Sequence, residues 1–179
     1  MKEPSIIEEL FRIILFDPGG IINIDSLSKT LNISRQTVSI YLNYLEKSFL
    51  ITKLYNFSRN IRKTQRKLKK YYPTIIVPDI VEKTELIGKV FEAIMVLQLD
   101  AEFFWRDAYK NEVDIIQLVN NSIVPIEIKY SKIDIRALKL FMKKFKINTG
   151  FILTYDKKER IKFNQKEINV LPFYEYLIK

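Results

Sequence analysis

Residues 123–130 read Ile-Val-Pro-Ile-Glu-Ile-Lys-Tyr, and this stretch decides how the second half of the chain is interpreted. Apolar residues alternate with Glu127 and Lys129, and this period of two is typical of a β-strand. Residues two apart in a strand point to the same face of the sheet, so we expect these two side chains to lie side by side. A surface ion pair is the simplest interpretation of the pair, and a pair of catalytic residues is the alternative.

The segments around this strand predict an α/β module that begins after 79–83. Its helices and strands follow the order helix, three strands, helix, strand, which predicts a mixed sheet. The predicted helices cover 86–99 and 134–146, the second capped by Asp134, with a further helix that begins at Pro172. The predicted strands cover 102–106, 113–119, 123–130 and 150–155, with a short extended segment near 168–171.

Two further acidic residues interrupt apolar segments of this module. Glu92 lies in the apolar helix, and Asp114 begins the apolar run that ends at Val119. Each alone fits a solvent-facing position. Together with Glu127 they are three carboxylates on elements that should be adjacent, and desolvated carboxylates repel each other unless a cation joins them. The sequence therefore predicts a metal site with Glu92, Asp114 and Glu127 as ligands, beside Lys129 as a fourth catalytic residue.

The composition restricts the chemistry of such a site. The 179-residue chain contains no Cys and no His, which excludes thiol nucleophiles, Ser-His-Asp triads and zinc sites built on Cys and His. A metal must then be bound by oxygen ligands, which favours Mg²⁺, Mn²⁺ or Ca²⁺. The four glycines form no phosphate-binding loop, and no apolar run approaches the roughly 18 residues of a membrane span.

The first 78 residues predict a helix-turn-helix. An amphipathic helix is expected over 5–16, a short helix capped by Asp25 follows, and Asn32-Ile33 forms a turn. Ser34 is expected to cap a third helix over 35–47. The last helix of such a motif contacts DNA bases, and here it would present Arg35, Gln36 and Ser39.

The net charge of +9 lies in one stretch of this region. Nine basic residues and no acidic residue occur between Lys47 and Pro78, and without them basic and acidic residues are equal in number. Extended segments at 49–57 and 72–77 flank the stretch like the two strands of a wing, which predicts a basic wing that contacts phosphates. A protein-binding winged helix and a solvated basic loop are the alternatives. The predicted phosphate contacts are Arg59, Arg62, Lys63, Arg66, Lys67, Lys69 and Lys70.

These residues carry a resemblance to a known family. Glu92, Asp114 and Glu127-Ile128-Lys129, on a helix and two strands, resemble the PD-(D/E)XK nucleases, which include restriction endonucleases and archaeal Holliday junction resolvases. The whole chain resembles the C-terminal region of prokaryotic AAA-type ATPases, in which a winged helix precedes a PD-(D/E)XK-like module. The matching pieces are Leu27 to Ser34, Trp105-Arg106, Asn111 to Asp114, Pro125 to Lys129 and Val170 to Phe173.

The resemblance implies an N-terminal winged helix-turn-helix at 1–78 and a restriction-endonuclease-like mixed-sheet domain at 79–179. It implies Glu92, Asp114, Glu127 and Lys129 as the metal and catalytic set of a Mg²⁺- or Mn²⁺-dependent endonuclease. The family's ATPase domain has no counterpart in this sequence, so a free-standing relative and a fragment are both expected forms.

The alternatives are a DNA-binding regulator that does not cleave and a module that binds partner proteins through its apolar N-terminal helix. The expected partners are DNA, a second copy of the chain and an ATPase. No membrane partner is expected, and the expected location is the cytoplasm.

Overall fold

The computed structural model describes residues 4–60, 62, 64, 68–77 and 84–178. The chain divides into two compact units, the first formed by Met1–Leu54 with Leu68–Ala93 and the second by Tyr55–Lys67 with Ile94–Lys179. The predicted boundary at 79–83 lies outside the described residues, so the division into 1–78 and 79–179 stays a prediction. The described residues form a mixed α/β structure with six α-helices and nine strands.

Three helices form the N-terminal part of the first unit: α1 (Pro4–Phe16), α2 (Ile24–Thr30) and α3 (Arg35–Lys47). The side chain of Ser34 accepts a hydrogen bond from the Thr37 N–H, which confirms the predicted cap of α3. The cap of α2 was predicted at Asp25 but is Asn23, whose Oδ1 accepts from the Ser26 N–H at 3.0 Å. Asn23 is as good a cap as Asp, and Asp25 lies instead in the first turn.

The strands of the first unit are β1 (Gly20–Ile21), β2 (Ile51–Asn56) and β3 (Lys69–Pro73), in the order β1-β3-β2. Strand β3 begins earlier than the predicted 72–77, because Lys70 and Tyr71 pair with β1. The lysines at the start of this strand interrupt the apolar pattern from which the strand was predicted. A 3₁₀ turn at Thr84–Leu86 leads into α4 (Ile87–Gln98). The core packs α1 and α3 against the strands through Leu10, Ile14, Val38, Leu42, Leu45 and Ile51.

The second unit contains a mixed sheet with the order β4-β5-β6-β7-β9-β8. The pairs β4–β5, β5–β6 and β8–β9 are antiparallel, whereas β6–β7 and β7–β9 are parallel. The last residues of β2, Tyr55 and Asn56, pair in parallel with β4. The strands are β4 (Phe103–Arg106), β5 (Glu112–Val119), β6 (Ser122–Lys129), β7 (Thr149–Thr154), β8 (Glu159–Phe163) and β9 (Lys166–Pro172).

Two helices belong to this sheet, α5 (Arg136–Phe145) and α6 (Phe173–Leu177). The apolar face of α5 is buried in the core of the unit, where Phe141 and Phe145 meet Trp105. Asp134, predicted to cap α5, lies one residue before the N-cap and accepts from the Arg136 N–H. Hydrogen bonds from the Arg136 side chain lower the pKa of Asp134 to about 2.

Strand β8 was not predicted. Its sequence, Glu-Arg-Ile-Lys-Phe, is mostly charged, and its residues are exposed or half-buried. It forms the edge of the sheet and pairs only with β9 among the described strands. An edge strand needs few apolar residues, so the hydrophobic pattern could not reveal it. None of the helices in the described ranges has the length and apolar character needed to cross a membrane.

Candidate functional site

Asp114, Glu127 and Lys129 come together on the neighbouring strands β5 and β6. The Lys129 ammonium lies 2.7 Å from Glu127 Oε1 and 3.9 Å from Asp114 Oδ2. Asp114 Oδ2 also accepts a hydrogen bond from the Ile128 N–H at 2.8 Å. The side chains of Glu127 and Lys129 therefore meet, as the alternation along the strand predicts, and Asp114 lies within reach of the same ammonium.

A β-bulge positions Asp114. Between the pairs Trp105–Val113 and Phe103–Ile116, strand β5 has one residue more than β4. The extra residue breaks the strict alternation of β5, so that both Val113 and Ile116 join the apolar core. Bulges change the direction in which nearby side chains point and are frequent next to active sites. Here the bulge contains Asp114, and its carboxylate faces the β6 strand.

The two carboxylates lie in a largely desolvated place. Asp114 is 7% exposed and Glu127 5% exposed, and the Oε2 atom of Glu127 is buried. Two carboxylates and one ammonium leave these three groups with a net negative charge when all are ionised. Burying charge is costly unless opposite charge is close, so the arrangement favours a cation beside the carboxylates. The acceptor oxygens are of the type that Mg²⁺ and Mn²⁺ prefer.

Arg106, Asn111 and Glu112, which belong to the resemblance, take part in contacts that hold the backbone around this site. Asp107 accepts hydrogen bonds from the backbone and side-chain amides of Asn111, which lower the pKa of Asp107 and close the turn before β5. Arg106 forms an ion pair with Glu112 at 3.2 Å across the β4–β5 pair. Asn56, which is buried, exchanges two hydrogen bonds with the Arg106 backbone. These contacts fix the strands from which Asp114 projects.

Glu92 belongs to the first unit and has partners there. Its Oε1 accepts from Tyr72 Oη at 2.6 Å and from Lys70 Nζ at 2.9 Å. Lys70 is 4% exposed, so its ammonium is turned toward this carboxylate. Gly19 allows the close approach: a side chain there would come within 3.2 Å of Glu92 Oε1 and 2.9 Å of the Tyr72 ring. Glu92 thus acts as the counter-ion of a buried lysine.

The predicted base-contacting residues lie on one exposed side of α3. Arg35, Gln36 and Ser39 are all exposed. The Arg35 guanidinium forms an ion pair with Asp25 at 2.7 Å, and the Ser39 hydroxyl donates to the Arg35 carbonyl. Both Arg35 and Asp25 remain more than half exposed, so this ion pair is weak.

The predicted phosphate contacts have different environments. Arg62 is exposed and Lys69 is half-buried. Arg59 is exposed, but its guanidinium donates to the Phe145 carbonyl and lies over the Phe145 ring. Lys70 is buried against Glu92 and presents no ammonium to solvent. Lys63, Arg66 and Lys67 lie outside the described residues.

Sequence reasoning missed two groups of residues. Tyr72 and Lys70 were not connected with Glu92, because contacts across 20 and 22 residues leave no periodic signal. Tyr130, Tyr155 and Phe173 each come directly after one of three adjacent strands. Inspection of the residue that follows each predicted strand would have identified them.

Comparisons with known proteins give two matches to family models. Residues 1–74 match a model described as Domain of unknown function (DUF8612), and residues 88–176 match one described as Domain of unknown function (DUF4143). The second of these is typically found with ATPase-associated regions. Neither the curated proteins nor the solved structures give a match. Within the described part of the chain, no group of three or more acidic side chains is placed to hold a metal ion.

Proposed function

We propose that the chain binds DNA through the helix-turn-helix of its first unit and the basic segment between β2 and β3, and that it hydrolyses phosphodiester bonds at a centre formed by Asp114, Glu127 and Lys129, as in the PD-(D/E)XK nucleases. The observation that carries the proposal is the grouping of these three side chains on β5 and β6. Their order and their place on neighbouring strands agree with the resemblance. Cleavage of DNA by the wild-type chain in Mg²⁺, and its loss in an Asp114 variant, tests the proposal.

The chemistry of the three residues suits phosphodiester hydrolysis. The phosphoryl group gains negative charge in the transition state, and a positioned ammonium stabilises that charge. Lys129 is held by Glu127 at 2.7 Å in a partly buried place, where its charge is less screened than on the surface. The hydrogen bond from the Ile128 N–H holds the Asp114 carboxylate in one orientation.

Mg²⁺ or Mn²⁺ fits this donor set. Asp114 and Glu127 are the residues that would hold it, since both are desolvated carboxylates on neighbouring strands and both contact the same Lys129 ammonium. A bound divalent cation supplies a Lewis acid for the phosphate and makes a water more acidic. Glu92 is not included among the proposed metal ligands, because it accepts hydrogen bonds from Lys70 and Tyr72 in the first unit.

A winged-helix assignment of the first unit rests on three helices followed by paired strands. Helices α2 and α3 are joined by a tight turn in which Asn32 has φ of 50°, a conformation that Asn tolerates well. The exposed Arg35, Gln36 and Ser39 are then placed as the base-contacting side of α3. The basic segment between β2 and β3 corresponds to the wing.

Replacing Arg62, Lys63, Arg66 and Lys67 with Ala is expected to weaken binding to all duplex sequences. Each neutralised phosphate releases counterions, so the slope of log K against log salt should become shallower by about 0.9 for each phosphate that the variant no longer neutralises. Fluorescence anisotropy with a labelled duplex over a salt series measures both quantities.

The matched control removes four exposed basic residues outside the basic segment, Lys110, Lys143, Arg160 and Lys162, and so changes the net charge equally. It should leave the salt slope nearly unchanged. Equal slopes for the wild type and the wing variant would show that the wing does not contact phosphates.

A DNA-binding regulator that does not cleave is the second candidate. It is favoured by the contact of Lys129 with both carboxylates, because an ion cluster of this kind can be purely structural. An ATPase is proposed as a partner on the typical association of the second matched domain. Cleavage assays of the wild type in the presence of a divalent metal separate this candidate from the nuclease.

A further inference from the structure

Three aromatic residues stand at one edge of the second unit's sheet, each directly after the carboxyl end of a parallel strand. Tyr130 follows β6, Tyr155 follows β7 and Phe173 follows β9. The strand registers pair Lys129 with Thr154 and Thr154 with Pro172. The next residue on each strand is one of the three aromatic residues, so the registers bring them to the same level as a row.

The rings of this row contact one another; the two tyrosine rings are exposed and the Phe173 ring is half-buried. The centroids of Tyr130 and Tyr155 are 6.0 Å apart, and those of Tyr155 and Phe173 are 6.4 Å apart. Tyr130 is 41% exposed and Tyr155 57% exposed. The row continues into Tyr174, which is 49% exposed and packs edge-on against Phe173. Core packing does not account for rings that remain this accessible.

The loops that carry the row contain three lysines and two acids. Lys132 lies two residues after Tyr130, and Lys157 and Lys158 follow Tyr155; the acids are Asp156 and Asp134, and Asp134 pairs with Arg136. The Lys157 ammonium donates to the Ser131 carbonyl, which ties the two loops together at the row. Lys158 pairs with Glu175 at 2.6 Å. Accessible rings beside lysines are the combination that single-stranded nucleic acids require, bases stacking on the rings and phosphates meeting the ammonium groups.

The row adjoins the candidate centre. Tyr130 is the residue after Lys129 on the same chain, and Tyr155 is the residue after Thr154, the register partner of Lys129. The row and the Lys129 ammonium therefore lie at the same end of β6, and a nucleic-acid strand stacked on the row would reach the end of the sheet where that ammonium contacts Asp114 and Glu127.

We propose that this aromatic row (Tyr130, Tyr155, Phe173 and Tyr174) stacks unpaired bases, so that the substrate of the centre is DNA with single-stranded nucleotides next to the cleaved bond. This inference rests on the proposed nuclease function and adds the substrate class to it. A fully paired duplex offers no base faces to the row, whereas branched, flapped and single-stranded DNA does.

Tyr155→Leu is the informative change, because it keeps an apolar side chain at the centre of the row and removes the ring. We expect it to weaken binding of a short oligothymidylate about fivefold to a hundredfold, the effect of removing one base–aromatic stack. Tyr155→Phe keeps the ring and should bind like the wild type. Binding of a duplex of the same length should change less than about twofold, since duplex contacts are made to phosphates.

The binding is measured by anisotropy without divalent metal, so the result does not depend on cleavage. Tyr109→Leu, at an 88% exposed tyrosine in the turn before β5, is the matched control, and thermal midpoints confirm that each variant folds. An oligomer with the same phosphates but no bases should bind the wild type and Tyr155→Leu equally.

Three results would each overturn the inference. They are unchanged oligothymidylate binding by Tyr155→Leu, an equal loss of binding by Tyr109→Leu, and wild-type binding that is equally strong for the oligomer without bases. The two proposals fail separately. If the wild type shows metal-dependent cleavage and Tyr155→Leu binds oligothymidylate normally, the nuclease proposal stands and the base-stacking role of the row is contradicted. If binding depends on the bases and on Tyr155 but no DNA is cleaved, the base-stacking role of the row is supported and the nuclease proposal is contradicted.

Discussion

The Lys129→Met variant is expected to cleave DNA about 10²–10³-fold more slowly than the wild type, the effect of removing one group that stabilises the transition state. Met keeps the length and apolar character of the lysine stem but removes the ammonium that lies 2.7 Å from Glu127. DNA affinity should be unchanged if it depends on the helix-turn-helix and the basic segment between β2 and β3. Single-turnover cleavage rates in Mg²⁺, with binding measured in parallel, test this expectation.

A purely structural Lys129 predicts a different result. In that case the variant loses stability because two buried carboxylates remain without this counter-charge, and no metal-dependent step changes. In the nuclease, Mg²⁺ should raise the thermal midpoint of Lys129→Met at least as much as that of the wild type, because the competing ammonium is gone. Lys110→Met, at an exposed lysine in the turn before β5, is the control and should cleave normally. A Lys129→Met variant that cleaves at the wild-type rate would contradict the proposed role.

Trp105→Ala is expected to reduce the free energy of unfolding by about 3–5 kcal/mol, the range for truncating a large buried aromatic side chain. Trp105 is 2% exposed and lies edge-on against Phe141, with ring centroids 5.3 Å apart. The Lys144 ammonium lies 5.3 Å from the centroid of its ring. The resemblance includes Trp105, and these contacts give it a packing role beneath the strands that carry Asp114.

Urea unfolding followed by far-ultraviolet circular dichroism measures this effect, since Trp105 is the only tryptophan of the chain and its fluorescence is absent from the variant. Trp105→Phe keeps an aromatic ring at the position and should cost less than the Ala variant. Tyr109→Ala, at an exposed ring, should change the free energy of unfolding by less than about 0.5 kcal/mol. A Trp105→Ala variant as stable as Tyr109→Ala would show that this core does not stabilise the unit.

The sequence allowed prediction of the part of the site that depends on local pattern. Glu127 and Lys129 are two residues apart in a strand, and the pleat of a strand is sufficient to place them together. Asp114 could be expected nearby, because a short turn at Asn120-Asn121 predicts that β5 and β6 pair as a hairpin. The bulge that positions Asp114 could not be predicted, since it depends on the register with β4.

The role of Glu92 shows the limit of that reasoning. An acid in an apolar helix is explained equally well by a metal, by solvent or by a buried cation from elsewhere in the chain. Lys70 is that cation, and in the sequence it was indistinguishable from the basic residues around it. Patterns along the chain predict which residues share a face, but they contain no information on which distant charge is buried beside them.

The central claim is that Asp114 and its neighbours form a metal-dependent phosphodiesterase centre. The most direct test compares cleavage of plasmid and branched DNA by the wild type and Asp114→Asn, in Mg²⁺, in Mn²⁺ and in EDTA. Asn retains an oxygen to accept the Ile128 N–H and removes only the charge, so the fold should persist. The account predicts wild-type cleavage that requires the metal and is lost in Asp114→Asn while DNA binding remains. Tight DNA binding by the wild type without cleavage of any of these DNA forms in either metal would contradict it.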